Sequence, residues 1–471
     1  MTINHLGYLG ANEIAALIRQ RKLSPVEVIT DILEWIERVE PRINAFAHFA
    51  PEEALRSARR AEELILRGDP LPPLLGVPVT IKDHVDVRGM PTRSGSTLTK
   101  AMAAAHDNPL VTRLKNAGAI VLGKTTTSEF GWKAVSQSPL HGITHNPWKH
   151  GFNAGASSAG AAAVAAAGCG PLHLGSDGAG SVRLPAHFCG LYGLKLTYGR
   201  IPLVPQMKGD HVVHFGPLTR NVEDAALMMD ALSGPHHLDP MSLPSSGESY
   251  SRDIRCRPGS LRIACSEDLG HARVDPEVRA LVANAIRRIA GFPGVILSSV
   301  TPEWGIKGRD LQRSLWCAHQ VHHYDDVAQF GDRMDPGLVA CVEQSRDISL
   351  ADYDALRTRK YAYVAEINAF FDEWDFLLTP AASVAAFPAD RLQPADWPQH
   401  PWDWMSWAEF SYPFNMSGNP AASIPCGVTS EGLPVGLQIV GRRFDDLRVL
   451  QLSLMVQCLE MSPKNRPYID A

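Results

Sequence analysis

The chain has 471 residues and a formal net charge of −5, from 45 Lys and Arg against 50 Asp and Glu. This balance gives no basic face for nucleic acid or acidic lipid, so we expect neither as a partner. No apolar run reaches the length of a membrane span, and the polar N-terminal residues do not resemble a signal peptide, so a cytoplasmic location is expected. The eight cysteines lack CxxC pairs and are expected to be reduced and mostly buried.

The N-terminal part of the chain predicts helices followed by strands. Ser24-Pro25-Val26-Glu27 has the form of a capping box with proline at the first helical position, and its helix is expected to end before Pro41. A second helix is expected from Pro51. The next predicted elements are a strand over 77–82 that ends at Lys82, a buried strand over 119–122 and an alanine-rich helix over 159–168.

The second half of the chain begins with a Pro-, Ser- and Gly-rich stretch, 234–260, which predicts an exposed connection. Strands are then expected at 261–265, 295–300, 376–380, 422–425 and 435–440, and helices at 276–289, 350–372 and 445–459. Strands that alternate with helices predict an α/β fold, with a central mixed, largely parallel sheet covered by helices.

Three small-residue segments carry the residues that point to chemistry. They are GVPVTIKD (76–83) with Lys82, GASSAG (155–160) with Ser157, and GSDGAGSVRLPA (175–186) with Ser181. A lysine that can lose its proton and two serines in loops can break an amide bond without metal or histidine. Each segment alone is typical of helix–sheet packing, and only their combination predicts a catalytic site.

Ser181 is the candidate nucleophile, because the residues before it carry no bulky side chains and the loop can turn its amides inward. The backbone N–H groups of Gly178, Ala179, Gly180 and Ser181 would then form the oxyanion hole. A lysine at the end of a buried strand loses its charge readily, so Lys82 can act as the base. Ser157 can relay a proton between the two, because a hydroxyl both donates and accepts.

The order and spacing of these segments resemble the amidase signature family. The similarity covers most of the chain, with a signature core at about 76–224, a variable substrate-shaping region at about 300–412 and a C-terminal block at about 414–441. It implies one α/β/α domain over 1–471, with Lys82 as base, Ser157 as bridging serine after a cis peptide bond, and Ser181 as the acylated serine. Asp177, Ser158 and Arg183 are implied as supporting residues, and Arg183 could also bind a substrate carboxylate.

The sequence also departs from the family pattern. Alanine stands where the family usually has glycine at 156, 159 and 179, and Ala161 replaces a frequent serine. If one of these positions needs a positive φ, its methyl group would cost about 1–2 kcal/mol and move the loop. His84 replaces a common asparagine and is a candidate lining residue.

The substrate pocket is predicted from aromatic residues. Four tryptophans lie at 397, 402, 404 and 407 beside Phe410, Tyr412 and Phe414, and they form either an aromatic wall or a segment packed on the core or on a second copy of the chain. The pocket candidates are His84, Trp132, Trp404, Trp407 and Phe414. The sequence leaves open whether the chain forms a homodimer.

Two other patterns point more weakly to function. Residues 118–125 match the GxxxxGK[ST] phosphate loop, but their middle residues are strand formers, so Lys124 and Thr125 are expected to start a loop near the site instead. His322 and His323 lie beside two aspartates, but no second cluster completes a metal site, and a helix face or pocket rim is favoured. We expect no metal and no cofactor.

The residues and the resemblance together predict a hydrolase that cleaves the C–N bond of a small, hydrophobic or aryl amide through an acyl-enzyme. Esters or carbamates could use the same tetrahedral chemistry. One alternative is the glutaminase-like component of a tRNA-dependent amidotransferase, which shares these motifs. A second is a non-catalytic binding scaffold.

Overall fold

The computed structural model describes residues 5–206, 211–256, 258–463 and 466–467. Its strands are β1 (Phe46–Phe49), β2 (Pro78–Lys82), β3 (Ile120–Thr125), β4 (Gln137–Ser138), β5 (Gly142–Ile143), β6 (His145–Asn146), β7 (Lys149–Asn153), β8 (Leu172–Asp177), β9 (Tyr192–Lys195), β10 (His214–Thr219), β11 (Leu261–Cys265), β12 (Val295–Ser299), β13 (Phe376–Pro380), β14 (Ala421–Val428) and β15 (Pro434–Gly441).

The α-helices are α1 (Ala11–Arg19), α2 (Pro25–Ile43), α3 (Pro51–Arg67), α4 (Pro109–Asn116), α5 (Ala159–Ala166), α6 (Arg183–Cys189), α7 (Val222–Leu232), α8 (Tyr250–Asp253), α9 (Pro276–Ile289), α10 (Gly308–Gln320), α11 (Tyr324–Phe330), α12 (Pro336–Gln344), α13 (Leu350–Glu373), α14 (Pro413–Met416) and α15 (Asp446–Gln457). Short 3₁₀ turns cover Leu6–Tyr8, Glu129–Gly131, Val321–His323, Gly331–Arg333 and Trp404–Trp407.

One mixed sheet of 11 strands forms the centre of the molecule, in the order β1-β3-β2-β8-β10-β9-β14-β15-β13-β11-β12. Helices pack around it, which confirms the predicted α/β fold. The expectation of a largely parallel sheet is wrong, because six of the ten pairings in this sheet are antiparallel. The parallel pairs lie towards the two flanks, where helices connect β2 to β3 and β11 to β12.

Helix α2 shows how local sequence sets an element boundary. The capping box is present at its start, where Glu27 N donates to Ser24 Oγ and Ser24 N donates to the Glu27 carboxylate. The predicted end before Pro41 is wrong, since the helix continues to Ile43. Pro41 lies in the last turn, and the buried Ile43 extends the apolar face that packs on the core. Asn44 then ends the helix with a φ of 49°.

The alanine-rich helix α5 is buried along its whole length. Small side chains let its backbone approach the sheet closely: a Cβ on Gly160 would lie 2.2 Å from the Ala45 carbonyl oxygen. Because α5 directly follows Ser157 and Ser158, this close packing fixes both serines against the ends of the central strands.

The other predicted strands and long helices form within a few residues of their expected positions. In the predicted connection, residues 244–248 are exposed, whereas Tyr250 in α8 is buried; residue 257 lies outside the described residues. All eight cysteines are free thiols, and only Cys256 and Cys458 are exposed. None of the described helices is both long and apolar enough to span a membrane.

Residues 120–125 of the phosphate-loop pattern form strand β3, which leaves no curled loop for a phosphate. The expectation that Lys124 and Thr125 begin a loop is therefore wrong. Lys124 is buried and its Nζ lies 2.8 Å from the Asp83 carboxylate. Asp83 thus pairs with Lys124, which leaves Lys82 to other contacts.

Candidate active site

Lys82 ends the buried strand β2, and its side chain is surrounded by hydroxyl groups. Its Nζ donates to Ser157 Oγ at 2.7 Å, to Ser158 Oγ at 3.0 Å and to Ser176 Oγ at 3.0 Å. Lys82 is fully buried. The three hydroxyls satisfy the amine without supplying a counter-charge.

Burial lowers the pKa of Lys82 from its usual 10.5 to about 7, because the charged form is desolvated, while the negative charge of Asp177 opposes this shift. A substantial share of Lys82 is therefore neutral near pH 7, and a neutral amine can accept a proton. This is the property that the sequence analysis expects of Lys82.

Ser157 follows a non-proline cis peptide bond from Ala156, as the family resemblance implies. The neighbouring Ser158 N donates to the Ser181 carbonyl at 3.4 Å, so the two serine loops contact each other directly. None of the four alanines at 156, 159, 161 and 179 has a positive φ. Their methyl groups therefore fit the backbone without the strain that a positive φ would bring.

Asp177 organises the loop that leads to Ser181. Its carboxylate accepts from Gly180 N at 2.7 Å, from Val182 N at 3.2 Å and from the Arg183 guanidinium at 3.0 Å. Burial opposes ionisation of Asp177, but the charge and hydrogen bonds of Arg183, together with Asn415, hold its pKa below the usual range. Arg183 is fully buried, so its predicted supporting position is structural and not accessible to a substrate carboxylate.

The amides of the loop separate into two groups. Gly180 N is already bonded to Asp177, so its predicted place in the oxyanion hole is wrong. Within the described part of the chain, the amides of Gly178, Ala179 and Ser181 have no hydrogen-bond partner. They remain available to a developing oxyanion.

Ser157, Ser176, Gly178 and Ser181 line one cavity of about 300 Å³. Its apolar wall consists of Phe130, Trp132, Trp316, Val212 and Val213. A second set of polar lining residues comprises His84, His319, Gln320, His322 and His323. Both candidate serines thus contact one mainly aromatic space.

His84 and Trp132 lie where the sequence predicts them, at the cavity. His84 Nε2 lies 3.3 Å from Thr127 Oγ1, and desolvation by burial holds the pKa of His84 well below its usual value, with a contribution from the charge of Lys82. His84 is therefore neutral at pH 7 and can offer a hydrogen bond without adding charge.

The other three pocket candidates do not line this cavity, and that expectation is wrong. Trp404 and Trp407 are buried in the core, with indole N–H groups that donate to the carbonyls of Trp132 and Leu392 respectively. Phe414 packs edge-on against Trp304. Aromatic crowding in the sequence here marks core packing, since these rings fill the space behind the cavity wall.

The chain matches one known protein family over most of its length. A model of the family described as Amidase matches residues 27–450. The chain is 35% identical to an acylamidase of Rhodococcus erythropolis, over all of this chain and 98% of that protein. The chain belongs to the amidase signature family. It is an amidohydrolase.

Two further relatives in the amidase signature family are informative. A crystal structure of a bacterial aryl acylamidase superposes with a TM-score of 0.88 at 28% identity, covering 96% of each chain. A glutamyl-tRNA(Gln) amidotransferase component from Moorella thermoacetica is 31% identical, over 98% of this chain and 99% of that protein.

Sequence reasoning missed several residues that this amidase brings to the site. Ser176 contacts Lys82, and its position before Asp177 in the third segment was an available signal. Asn415 donates to the Asp177 carbonyl and carboxylate, and Ser411 Oγ donates to the Ala179 carbonyl at 2.6 Å. Asn415 lies in the C-terminal block, but the sequence of that block does not indicate that Asn415 contacts Asp177.

Histidines at the cavity do not form a metal site. Across the described ranges, no three His, Cys, Asp or Glu side chains converge as cation ligands. His322 and His323 line the cavity, which agrees with a pocket rim. His323 Nδ1 also lies 3.1 Å from the Asp326 carboxylate.

Proposed function

We propose that this amidase signature hydrolase cleaves small aryl or hydrophobic amides through an acyl-enzyme on Ser181. The observation that carries the proposal is the contact of 2.7 Å between Lys82 Nζ and Ser157 Oγ, in a site where burial lowers the pKa of Lys82 to about 7. Ser157 and Ser181 share the same cavity. In this proposal Lys82 is the neutral base, Ser157 is the relay hydroxyl and Ser181 is the nucleophile.

In the acylation step, Ser181 Oγ attacks the substrate carbonyl carbon. Its proton passes to Ser157 Oγ as Ser157 gives its own proton to Lys82 Nζ. The amides of Gly178, Ala179 and Ser181 stabilise the carbonyl oxygen as it becomes negative. The proton then returns from Lys82 through Ser157 to the nitrogen, the C–N bond breaks and the amine leaves.

Deacylation uses the same groups with water as the nucleophile. Water attacks the Ser181 ester, and its proton reaches neutral Lys82 through Ser157. Collapse of the tetrahedral intermediate returns a proton to Ser181 Oγ and releases the carboxylic acid. No other acid or base is needed, because Lys82 returns to its neutral form.

The substrate class follows from the cavity. Its wall of Phe130, Trp132 and Trp316 suits a flat apolar group, and the related proteins include an acylamidase and an aryl acylamidase. We infer an acyl amide of an aromatic amine as the preferred substrate, with aryl esters and carbamates as further substrates.

The experiment uses the purified chain alone with 4-nitroacetanilide. We expect release of 4-nitroaniline and, on rapid quenching, acetylation of the peptide that contains Ser181, detected by mass spectrometry. Ser181→Ala should lose both, whereas Ser299→Ala, at an exposed site in β12, should keep both. Full amide turnover by Ser181→Ala would overturn the assignment.

The amidotransferase relative favours a second candidate, a glutaminase-like component that works with partner chains. The same purified chain separates the two. An isolated component of this kind would be nearly inert on aryl amides and would release ammonia from glutamine only in a complex. A binding scaffold would show neither turnover nor acylation of Ser181.

A further inference from the structure

Two rings of the cavity's aromatic wall, Phe130 and Trp132, come from one short segment. Phe130 and Gly131 lie in the 3₁₀ turn Glu129–Gly131, and Trp132 follows directly. Both Phe130 and Gly131 have positive φ values, 48° and 72°. A phenylalanine in this region is uncommon, so surrounding contacts must hold the segment in place.

Phe130 N donates to the Ser94 carbonyl, and a second set of contacts comes from the start of helix α12. Asp335 N donates to Glu129 Oε2 at 2.6 Å, while Lys133 Nζ lies 2.5 Å from Asp335 Oδ2. Glu129, Lys133 and Asp335 are all buried. Asp335 therefore binds the two residues that flank positions 130–132. Its backbone N–H binds Glu129, and its carboxylate binds Lys133.

The same first turn of α12 touches the tryptophan. Gly337 packs so closely that a Cβ there would lie 2.5 Å from Trp132 Cη2 and 2.8 Å from Cζ2. Trp132 is fully buried, and its carbonyl accepts from Trp404 Nε1 at 3.0 Å, so its backbone is held from behind. Trp132 also lines the cavity, so a ring displaced from α12 has free space on that side, whereas packed core resists displacement elsewhere.

The helix start itself does not depend on the ion pair. Asp335 Oδ1 accepts from Gly337 N at 2.9 Å and caps α12, whereas its Oδ2 contacts Lys133. Asparagine caps helices as well as aspartate does. The capping and the ion pair can therefore be separated by substitution.

We propose that Asp335 and Gly337 are positioning residues for Trp132, and that through this ring they limit the size of the group that the cavity beside Ser181 accepts. This inference rests on the proposed function, because it takes Ser181 as the reacting residue. Helix α12 lies in the region between residues 300 and 412, so in this proposal one element of that region limits substrate size from outside the cavity.

The first test compares a small and a bulky serine reagent, methanesulfonyl fluoride and phenylmethanesulfonyl fluoride. Ser181 Oγ attacks sulfur, the S–F bond breaks, and fluoride leaves while the hydroxyl proton goes to the base. Gly337→Ala should slow modification by the phenyl reagent about tenfold or more relative to the methyl reagent. Gly331→Ala is the matched control, since its Cβ would meet nothing closer than 3.8 Å.

The second test removes the ion pair and keeps the cap. Asp335→Asn should raise KM for 4-nitroacetanilide several-fold while the rate at which the small reagent, methanesulfonyl fluoride, modifies Ser181 stays near the wild-type value. Lys133→Met should raise KM in the same way. Lys133→Arg should raise KM less, because arginine keeps the positive charge. Thermal unfolding of each variant checks that the fold is retained.

The outcomes separate the two proposals. An unchanged ratio of the two reagent rates in Gly337→Ala, with Ser181 still modified, overturns the positioning proposal and leaves the nucleophile intact. Failure of both reagents to modify Ser181 in the wild type overturns the proposed function, and the inference falls with it. If Asp335→Asn does not fold, Gly337→Ala alone decides the case.

Discussion

At the scale of single residues, Lys82 is the central group, and none of its hydrogen-bond partners is a carboxylate. Asp83, the adjacent acid, pairs with Lys124, while Lys82 Nζ donates to three hydroxyls. A carboxylate in contact with Lys82 would keep it charged and remove the base. The pairing of Asp83 with Lys124 therefore favours the proposed chemistry.

This arrangement predicts the pH dependence of the reaction. Because the pKa of Lys82 is lowered to about 7, the neutral base is scarce below that pH and predominates above it. We expect kcat/KM to rise about tenfold per pH unit below pH 7 and to level off above it. The measurement is kcat/KM for 4-nitroacetanilide from pH 5 to 9.

Lys82→Met is the matching variant, with an expected loss of about 10²–10⁴-fold. Its residual rate should lose the rise near pH 7. An acid optimum in the wild type, or the same profile in both proteins, would contradict Lys82 as the base.

At the scale of elements, the loop from Asp177 to Ser181 is held by helix α6 and by a segment near the C-terminus. Asp177 and Arg183 hold the loop internally, and Ser411 and Asn415 bind it from the far end of the chain. Gly180 has a φ of 119°, and a Cβ there would lie 2.7 Å from both Leu184 and Ser411. The loop therefore has no room for a side chain at this position.

Gly180→Ala should lower kcat by about 10²-fold or more, since it displaces the amides beside Ser181. Gly432→Ala is the control, because Gly432 also has a positive φ, 79°, but a Cβ there would meet nothing within 4 Å. That variant should lose about 1–2 kcal/mol of stability and keep its kcat. Equal losses of kcat in both variants would show that backbone strain, and not the contact with Ser411, is responsible.

At the scale of the whole molecule, the two halves of the chain meet in the sheet. Strand β9 from the first half pairs with β14 from the second, and Arg183 donates to Ser411 and Gln438 across the same boundary. The site residues lie on both sides of the connection, but none lies within it. Residues 244–248 of that connection are exposed.

A cut in this connection should therefore leave the enzyme active. We expect a chain with a protease site inserted between Ser246 and Gly247 to retain its activity on 4-nitroacetanilide after cleavage, with both fragments co-eluting in gel filtration. Each fragment purified alone in denaturant and refolded should be inactive. Activity of the N-terminal fragment alone would contradict a site that needs Ser411 and Asn415.

The sequence predicted the local features well and the long-range ones poorly. Seven of the fifteen strands and six of the fifteen α-helices among the described residues follow from periodicity and caps. Three short segments select Lys82, Ser157 and Ser181 as candidates. Trp404 and Trp407 were misplaced because composition does not distinguish a ring that lines the cavity from a ring packed in the core behind it. The antiparallel pairs of β8, β9 and β10 were missed because no strands were expected at their residues, and strand periodicity does not give the direction of the β14–β15 pair.

The number of hydroxyls around Lys82 equals the number of N–H donors on its charged form. An ammonium has three N–H donors, one for each hydroxyl, whereas the neutral amine has two and a lone pair. Ser158 cannot fill that lone pair, because its Oγ donates to the Ser176 carbonyl at 3.1 Å and accepts from Ser176 N at 3.2 Å. Once Lys82 has lost a proton, its lone pair can accept from another hydroxyl, and Ser157, at 2.7 Å, is the nearest of those that line the cavity.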